Sequence, residues 1–165
     1  MNFAKRLDKR ELTFVDICTG SGCIPFAFAL EILKNPPKSL NKLTIFASDI
    51  SKEALEVTKK NHKKLLKNIK SNIKVEIKII ESDLLDYFIN RQIEIDILCA
   101  NPPYVSDTDY EKLEEQIKDF EPEIALRSGK SSEKVIDKIL EQVNKLPSSP
   151  KMIIIEGDDG KITEY

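Results

Sequence analysis

Hydrophobic residues along this chain gather into short runs that alternate with longer stretches of mixed polar and apolar residues. Five runs predict β-strands, at residues 13–18, 43–47, 75–80, 95–100 and 151–156. These runs are apolar rather than alternating, which is typical of parallel strands that are covered on both faces. The pattern therefore predicts an α/β fold, with a mainly parallel sheet and helices on both of its faces.

Helical patterns separate the predicted strands. Residues 23–33 are apolar nearly all round, as in a helix buried against a sheet, and Pro25 places the helix start near residue 23. Ser51 is a candidate N-cap for a long helix whose other face is almost all lysine and is expected to be solvated. The inward positions of that helix step by three or four residues and are Leu55, Thr58, His62, Leu65, Leu66 and Ile69.

Three further helices and an arm complete the predicted order of elements. Short helices are expected at residues 84–91 and 111–118, and residues 1–11 form a polar helix or arm. Ser131 or Ser132 caps an amphipathic helix. Its inward positions are Val135, Ile136, Ile139, Leu140, Val143 and Leu146. With no internal repeat and no linker, residues 1–165 are expected to form a single domain.

Composition narrows the class of protein. The 165 residues are 41% hydrophobic and 33% charged, enough for one domain with a hydrophobic core, and no apolar run is long enough to span a bilayer. A net charge of −2 disfavours a dedicated nucleic-acid-binding protein. Cys18, Cys23 and Cys99 are interpreted as reduced intracellular thiols, and no metal site is predicted. A single histidine disfavours any mechanism that needs a histidine base.

Polar residues follow four of the predicted strands, where parallel strands present their carboxyl ends at one edge of the sheet. Ligands of open α/β sheets bind at that edge, near the point where the strand order reverses. The candidates after the first three strands are Asp16, Thr19, Gly20, Gly22, Asp49, Ser82 and Asp83. Each aspartate has an alternative role as the N-cap of the helix that follows.

The residue types in this set favour one ligand. Gly20 and Gly22 let the backbone approach a ligand, but Pro25 replaces the third glycine of the dinucleotide pattern and no triphosphate-binding loop follows. Asp16 suits an ammonium or sulfonium group. Asp49 offers paired acceptors to two ribose hydroxyls, and Asp83 or the backbone after it offers an acceptor to an adenine amino group. A cationic nucleoside with these parts is S-adenosylmethionine.

The fourth strand runs directly into Asn101-Pro102-Pro103-Tyr104. The two prolines fix φ and push the preceding residues out of the helical region, so the turn is stiff. A rigid turn with one amide and one aromatic ring at a strand end suits the binding of a planar NH2 group. The alternative is an ordinary strand-to-loop turn, in which asparagine and proline are common.

Together, these segments resemble the class I S-adenosylmethionine methyltransferases that methylate amino groups. The segment Phe120-Glu121-Pro122-Glu123-Ile124-Ala125-Leu126 narrows the resemblance to the HemK/PrmC family, protein N5-glutamine methyltransferases acting on the Gly-Gly-Gln motif of peptide chain release factors. The resemblance covers residues 12–158. Two segments differ from the family pattern. Cys18 stands where many relatives have glycine, and Ser128-Gly129-Lys130-Ser131 replaces a glycine-rich stretch. The form of that loop and Glu156-Gly157-Asp158 look more like the fungal mitochondrial members.

The resemblance implies a Rossmann-like fold and roles for individual residues. The side-chain oxygen of Asn101 and the carbonyl of Pro102 each accept one N–H of the substrate amide, and Tyr104 packs on the amide or faces the sulfonium. Asn101 also borders the cofactor. Pro103, Glu121 and Pro122 complete the substrate side. The implied partner is a release factor, and the implied compartment is the mitochondrion, with the cytoplasm as the alternative.

The resemblance also raises an expectation about the end of the chain. A class I methyltransferase continues after its fifth strand with a helix and an antiparallel pair of strands. These C-terminal strands are expected to be missing here, which truncates the domain and leaves an exposed edge beside the fifth strand.

Two other functions stay open. One is an adenine-N6 methyltransferase of DNA or RNA, which would use the same turn on an exocyclic amine. The net charge and the segment from Phe120 to Leu126 disfavour it. The other is a non-catalytic nucleoside-binding module.

Overall fold

The computed structural model describes residues 9–65, 71–120, 122–129, 133–157 and 162–164. The elements in chain order are β1 (Glu11–Ile17), α1 (Cys23–Lys34), β2 (Lys42–Asp49), α2 (Lys52–Leu65), β3 (Lys74–Glu81), α3 (Asp86–Asn90), β4 (Ile97–Ala100), β5 (Val105–Ser106), α4 (Asp107–Tyr110), α5 (Glu115–Phe120), α6 (Glu123–Leu126), β6 (Arg127–Gly129), α7 (Glu133–Val143), β7 (Met152–Glu156) and β8 (Ile162–Glu164).

Six of the strands form one sheet in the order β3-β2-β1-β4-β7-β8. The pairs from β3 to β7 are all parallel, which confirms the predicted α/β fold. The strand order reverses between β1 and β4, so this is the switch point at which such sheets bind ligands. Ile17 lies opposite Ser48 on one side and Ala100 on the other. The carboxyl ends of β1, β2 and β4 are therefore level with one another.

Helices cover both faces of the sheet, as predicted. On one face α1 packs Ala29 and Ile32 against Phe14 and Ile45. On the other face, the buried side chains of α3 and α7 pack against β1, β2, β4 and β7. Of the six predicted inward positions, two are buried in this second cluster and the other four, one of them beyond the end of α7, are partly buried and pack against it; the two are Ile139 and Val143, and the four are Val135, Ile136, Leu140 and Leu146. The apolar period therefore identified the buried face of α7 correctly.

The amino-terminal ends of the strands are held together by Asp96, which precedes β4 and is only 7% exposed. Its Oδ2 accepts the backbone N–H of Thr13 at 3.0 Å, and its Oδ1 contacts the ammonium groups of Lys9 and Lys151. The carboxylate thus joins the beginnings of β1, β4 and β7. Because these ends are remote from the carboxyl ends of the strands, Asp96 stabilises the fold and does not belong to the candidate site.

The predicted exposed edge beside the fifth strand is wrong. A short strand, β8, pairs antiparallel with β7, placing Thr163 opposite Ile155. Three residues of mixed polarity carry no strand pattern of their own, so β8 could not be predicted from the sequence. Main-chain hydrogen bonding to an existing strand can order such a segment without a hydrophobic period.

The region between β4 and α7 also differs from expectation. The single predicted helix at 111–118 is replaced by α4 and α5, and the two-stranded sheet of β5 and β6 was not predicted. These elements are two to six residues long, which is shorter than a hydrophobic period can define. Within the described residues, no helix is long and apolar enough to cross a membrane.

Predictions about α2 are confirmed in part. Ser51 caps it, since its hydroxyl accepts the N–H of Ala54 at 3.1 Å. Leu55 and Thr58 are buried as expected, whereas Leu65, the last residue of α2 that the structure describes, is 49% exposed. Some predicted positions lie outside the described residues. They are residues 1–8 of the arm, the inward positions Leu66 and Ile69, and the candidate caps Ser131 and Ser132.

Candidate functional site

The loop after β1 alternates between ordinary and left-handed backbone. Cys18, Gly20 and Gly22 have φ values of 55°, 57° and 83°. The left-handed region costs a residue with a side chain roughly 1–2 kcal/mol, and glycine almost nothing. Position 18, where the family resemblance expects glycine, therefore has a glycine-like backbone, and Cys18 is strained there.

The two glycines of this loop have different surroundings. A methyl group on Gly20 would meet no atom of the described residues within 4 Å, so this position leaves open space beside the backbone. A methyl group on Gly22 would lie 2.5 Å from Phe26 and 3.0 Å from Thr58. Packing between α1 and α2 therefore accounts for Gly22, and its contact with a cofactor stays a prediction.

Asp49 and α2 hold the loop in place. Oδ2 of Asp49 accepts the N–H of Gly20 at 2.8 Å, and Oδ1 accepts the N–H of Ser51 at 2.9 Å. From α2, the Thr58 hydroxyl donates to the carbonyl of Gly20 at 2.7 Å, and the Asn61 amide donates to that of Ser21 at 2.9 Å. Each carboxylate oxygen of Asp49 keeps acceptor capacity for a further hydrogen bond. No sequence pattern predicted the contacts of Thr58 and Asn61 with the loop.

Asp16 is completely buried at the end of β1. Its Oδ2 accepts the hydroxyl of Thr19 at 2.6 Å, while its Oδ1 has no hydrogen-bond partner within the described residues. Burial raises the pKa of Asp16 to about 7, against the lowering effect of the Thr19 hydrogen bond and with a further increase from the charge of Asp49. A buried carboxylate with one unpaired oxygen is unfavourable unless a cation or donor completes it.

The charges around the loop are negative. Burial, followed by the carboxylates of Asp49, Asp16 and Asp83, raises the pKa of the Cys18 thiol to about 12. Burial and the charge of Asp16 raise the pKa of Cys99 to about 12 as well. These two thiols stay protonated at neutral pH, mainly because they are buried, and the neighbouring carboxylates that add to the effect favour a bound cation.

The polar side chains of the loop after β3 already have partners within the protein. The Ser82 hydroxyl accepts the N–H of Tyr87 and donates to the carbonyl of Leu84, each at 3.1 Å. Asp83 is half exposed, and its Oδ2 accepts the Lys138 ammonium at 2.7 Å. Ser82 therefore orders the start of α3, and Asp83 remains at the edge of the sheet beside Asp49. Their contacts with a cofactor stay predictions.

A cleft of about 310 Å³ joins three segments that the sequence singled out. Its walls are residues 18–21 with the start of α1, Asn101 with Tyr104 and Val105, and Ala125 with Leu126. Its size is at the low end for small-molecule sites. The glycine loop, the Asn-Pro-Pro-Tyr turn and the segment from Phe120 to Leu126 therefore face one space, as a ligand site at the switch point requires.

Within the turn, exposure changes from residue to residue. Asn101 is exposed at the mouth of the cleft, Pro102 is buried, and Pro103 and Tyr104 are partly buried. Pro102 therefore anchors the turn while Asn101 stays accessible. On the substrate side, Pro122 is exposed at the start of α6, and Glu121 lies outside the described residues.

Arg127 organises the wall that carries Ala125 and Leu126. Its guanidinium contacts the carboxylates of Asp107 and Glu123 and lies 5.1 Å from the ring centroid of Tyr110. The Ser128 hydroxyl donates to the carbonyl of Val105 at 3.0 Å, which ties β6 to the end of the turn. No sequence motif identified Arg127, because its partners lie on separate short elements.

Comparisons with known proteins agree with this geometry. A family model described as N-6 DNA Methylase matches residues 2–144. The chain is 36% identical over 148 residues to the release factor glutamine methyltransferase of Rhodopirellula baltica, covering 89% of this chain and 45% of that protein. For the proteins of the same name from Clostridium acetobutylicum and Bacillus subtilis, identities are 37% over 114 residues and 32% over 146 residues. The chain covers 35% and 45% of those two proteins, and they cover 69% and 88% of it.

The chain thus spans less than half the length of these curated relatives. All three come from bacteria, and the predicted likeness to fungal mitochondrial members stays a prediction. Among solved structures, M. capricolum TrmK with S-adenosyl-homocysteine gives a TM-score of 0.48 at 18% identity, covering 93% of this chain and 49% of that one. The methyltransferase domain of bacterial CtHen1 gives 0.46 at 17% identity, with 93% and 60% covered.

Proposed function

The chain belongs to the N-6 DNA methylase family, and from this premise we propose that it transfers a methyl group from S-adenosylmethionine to the glutamine side-chain nitrogen of a Gly-Gly-Gln motif in a peptide chain release factor. The observation that carries the proposal is the cleft shared by the glycine loop and the Asn-Pro-Pro-Tyr turn. The names of the curated relatives support glutamine as the acceptor. Residues 1–165 would act as one methyltransferase domain.

The residues present fit the proposed cofactor. Asp16 has a buried, unpaired oxygen that a cationic group would complete, and Gly20 leaves open space beside the backbone. Asp49 retains acceptor capacity for ribose hydroxyls. When bound, S-adenosylmethionine supplies an electrophilic methyl group on a sulfonium. Thr19, Gly20 and Asn101 would border it, since all three line the cleft.

Ile50 is a further residue that sequence reasoning missed. It follows Asp49 directly and is 53% exposed, unlike the buried apolar residues that precede Asp49 in β2. An exposed isoleucine beside the proposed ribose-binding acid would cover one face of the adenine base. The signal in the sequence was an apolar residue immediately after a strand-end aspartate.

The chain's contribution to catalysis is the orientation of the acceptor. A carboxamide nitrogen is a poor nucleophile because its lone pair is delocalised into the carbonyl group. With the Asn101 side-chain oxygen and the Pro102 carbonyl each accepting one N–H, the nitrogen would face the methyl group and could become pyramidal. The buried Pro102 keeps both acceptors at a fixed separation. Such positioning supplies on the order of 7–11 kcal/mol at most.

One experiment tests the acceptor. The 165-residue chain is incubated with S-adenosylmethionine and a release factor, a tRNA or a DNA duplex, and methylated products are located by mass spectrometry. The proposal expects one methyl group on the glutamine of the Gly-Gly-Gln motif, and none when that glutamine is replaced by alanine. Methylation of adenine instead would favour the nucleic-acid alternative that the family description also fits. Cofactor binding without turnover on any substrate would favour a nucleoside-binding module.

Replacing Asp49 by alanine is expected to raise the Kd for S-adenosylmethionine at least about tenfold, since hydrogen bonds to a charged acceptor are worth roughly 1.5–3 kcal/mol each. The variant also loses the bond that holds Gly20. Isothermal titration calorimetry measures the affinity. Asp137→Ala, which removes an exposed acid from α7, is the matched control. An unchanged Kd in Asp49→Ala contradicts the assignment.

Binding of S-adenosylmethionine is expected to strengthen as the pH rises through 7. The pKa of Asp16 lies near 7, above its ordinary value of 3.8, so the folded chain holds an extra proton between about pH 4 and 7. Asp16 therefore contributes less to stability as the pH rises through that window. A cationic ligand needs the ionised form, so each unit below pH 7 weakens binding by up to about tenfold. Calorimetry between pH 5.5 and 8 measures this effect, and Asp16→Asn should abolish it; a flat wild-type profile refutes it.

For the compartment we propose the mitochondrion, with the cytoplasm as the alternative. The proposal is supported by the sequence resemblance alone. Fractionation of cells that express a tagged chain distinguishes the two.

A further inference from the structure

A buried amide on α7 contacts the loop that follows β3. Gln142 is 5% exposed, its Oε1 accepts the N–H of Leu85 at 2.8 Å, and its Nε2 donates to Oδ1 of Asp86 at 2.8 Å. A buried amide group is unfavourable unless its donor and acceptor are both engaged, and here each has a partner in the same loop. The side chain therefore fixes this loop at two successive residues, 57 and 56 positions away along the chain.

A second side chain of α7 reaches the same loop. Lys138 lies one helical turn before Gln142 and hence on the same face of the helix. Its ammonium contacts Oδ2 of Asp83 at 2.7 Å. Together the two side chains hold three residues between 83 and 86, and Asp83 is the proposed acceptor for the adenine amino group.

The loop has a backbone conformation that requires support. Leu84 has φ of 48°, in the left-handed region that a leucine adopts only under constraint. Strained positions of this kind persist where surrounding contacts determine them, and they are common at ligand sites. Ser82 contributes a contact within the loop, while Gln142 and Lys138 contribute contacts from outside it.

We propose that Gln142 and Lys138 are positioning residues that hold the loop between Ser82 and Asp86 in the shape that recognises the 6-amino group of the cofactor's adenine. This inference rests on the proposed function, because it assumes that the cofactor carries adenine. Gln142 fixes the backbone beside Asp83, and Lys138 orients the Asp83 carboxylate. Neither residue touches the reacting atoms.

The test compares two ligands that differ at this edge of the base. S-inosylhomocysteine has a carbonyl oxygen where S-adenosylhomocysteine has the amino group, and it carries a proton on the adjacent N1, so the Asp83 carboxylate would face an acceptor at the 6-position instead of a donor. A site built to bind an N–H strongly rejects an analogue that lacks it. The wild-type chain is expected to bind S-adenosylhomocysteine at least about tenfold more tightly than the inosine analogue. In Gln142→Ala this ratio is expected to fall to within about threefold of unity.

A second variant guards against a loss of folding. Lys138 is half exposed, so Lys138→Met removes the contact with Asp83 without opening the core. The expected fall in the ratio is smaller, about two- to threefold, since exposed ion pairs are weak. Lys134→Met, at an exposed position of the same helix, is the control and should keep the wild-type ratio.

The ratio separates positioning from stability. A merely structural role for Gln142 would weaken both ligands equally and leave the ratio unchanged. If Gln142→Ala and Lys138→Met both retain the wild-type ratio, the positioning proposal is overturned while the proposed function stands. If the wild-type chain binds neither ligand, the cofactor assignment fails and this proposal fails with it.

Discussion

Asn101→Ala is expected to lower kcat for release factor methylation by about 10²–10³-fold, the range found when one preorganised hydrogen-bonding group is removed from an active site. The side chain is exposed at the mouth of the cleft, and its oxygen is the proposed acceptor for one N–H of the substrate amide. Without it, the amide is held by the Pro102 carbonyl alone and can rotate about that contact. Single-turnover methyl transfer measured with saturating cofactor reports the chemical step directly.

The same variant should keep its fold and its cofactor. Asn101 is exposed, so its loss creates no cavity, and the cofactor contacts assigned to Asp16, Asp49 and Gly20 remain. The Kd for S-adenosylmethionine is therefore expected to stay within about threefold of wild type. Asn90→Ala, at an exposed asparagine on α3, is the matched control and should have wild-type kcat. Wild-type turnover in Asn101→Ala would show that the proposed role of this amide is wrong.

Gly22→Ala is expected to destabilise the chain by about 2–5 kcal/mol. Overpacking a well-filled site costs about 1–3 kcal/mol, and a left-handed backbone costs alanine about 1–2 kcal/mol more. The added methyl group would lie 2.5 Å from the ring of Phe26, a residue of α1 that is 1% exposed, stacks on His62 of α2 and has little room to move. For a chain of this size, Tm should fall by about 5–15 °C, as measured by calorimetry or circular dichroism.

Gly20→Ala is the matched control for this prediction. Gly20 has a similar φ of 57°, but a methyl group there meets no atom within 4 Å in the part of the chain that the structure describes. Its stability loss should be limited to the backbone cost of about 1–2 kcal/mol. The methyl group would instead enter the cleft, so the Kd for S-adenosylmethionine should rise while the fold survives. Equal losses of stability in the two variants would contradict the packing role of Gly22.

Several candidate residues were predictable because they stand at the carboxyl ends of strands. Asp16 is the penultimate residue of β1, Asp49 is the last residue of β2 and Asn101 follows β4 directly, and parallel strands bring their carboxyl ends to one edge regardless of the loops between them. The stiffness of the turn was predictable too, because the two prolines after Asn101 restrict the backbone locally. Local chemistry at strand ends therefore predicted where the cleft lies, and of these three residues Asn101 lines it.

Other parts of the site were not predictable for an equally physical reason. Gln142 contacts Leu85, Asn61 contacts Ser21, and Arg127 contacts Asp107, each across 20 residues or more. No periodicity or motif links such pairs, because the contact arises only when separate elements pack together. The different surroundings of Gly20 and Gly22 were also not predictable, since only the neighbouring side chains determine whether an added methyl group would meet open space or other atoms.

By itself, the sequence determined the alternation of strands and helices, the buried face of α7 and the stiff turn at Asn101, because each depends on hydrophobic period or on backbone restriction within a few residues. The tertiary structure alone decided that β8 covers the edge of β7, that Asp16 is buried with an unpaired oxygen, and that α7 holds the loop after β3. Burial and long-range hydrogen bonding depend on which elements meet, and that is a property of the whole fold.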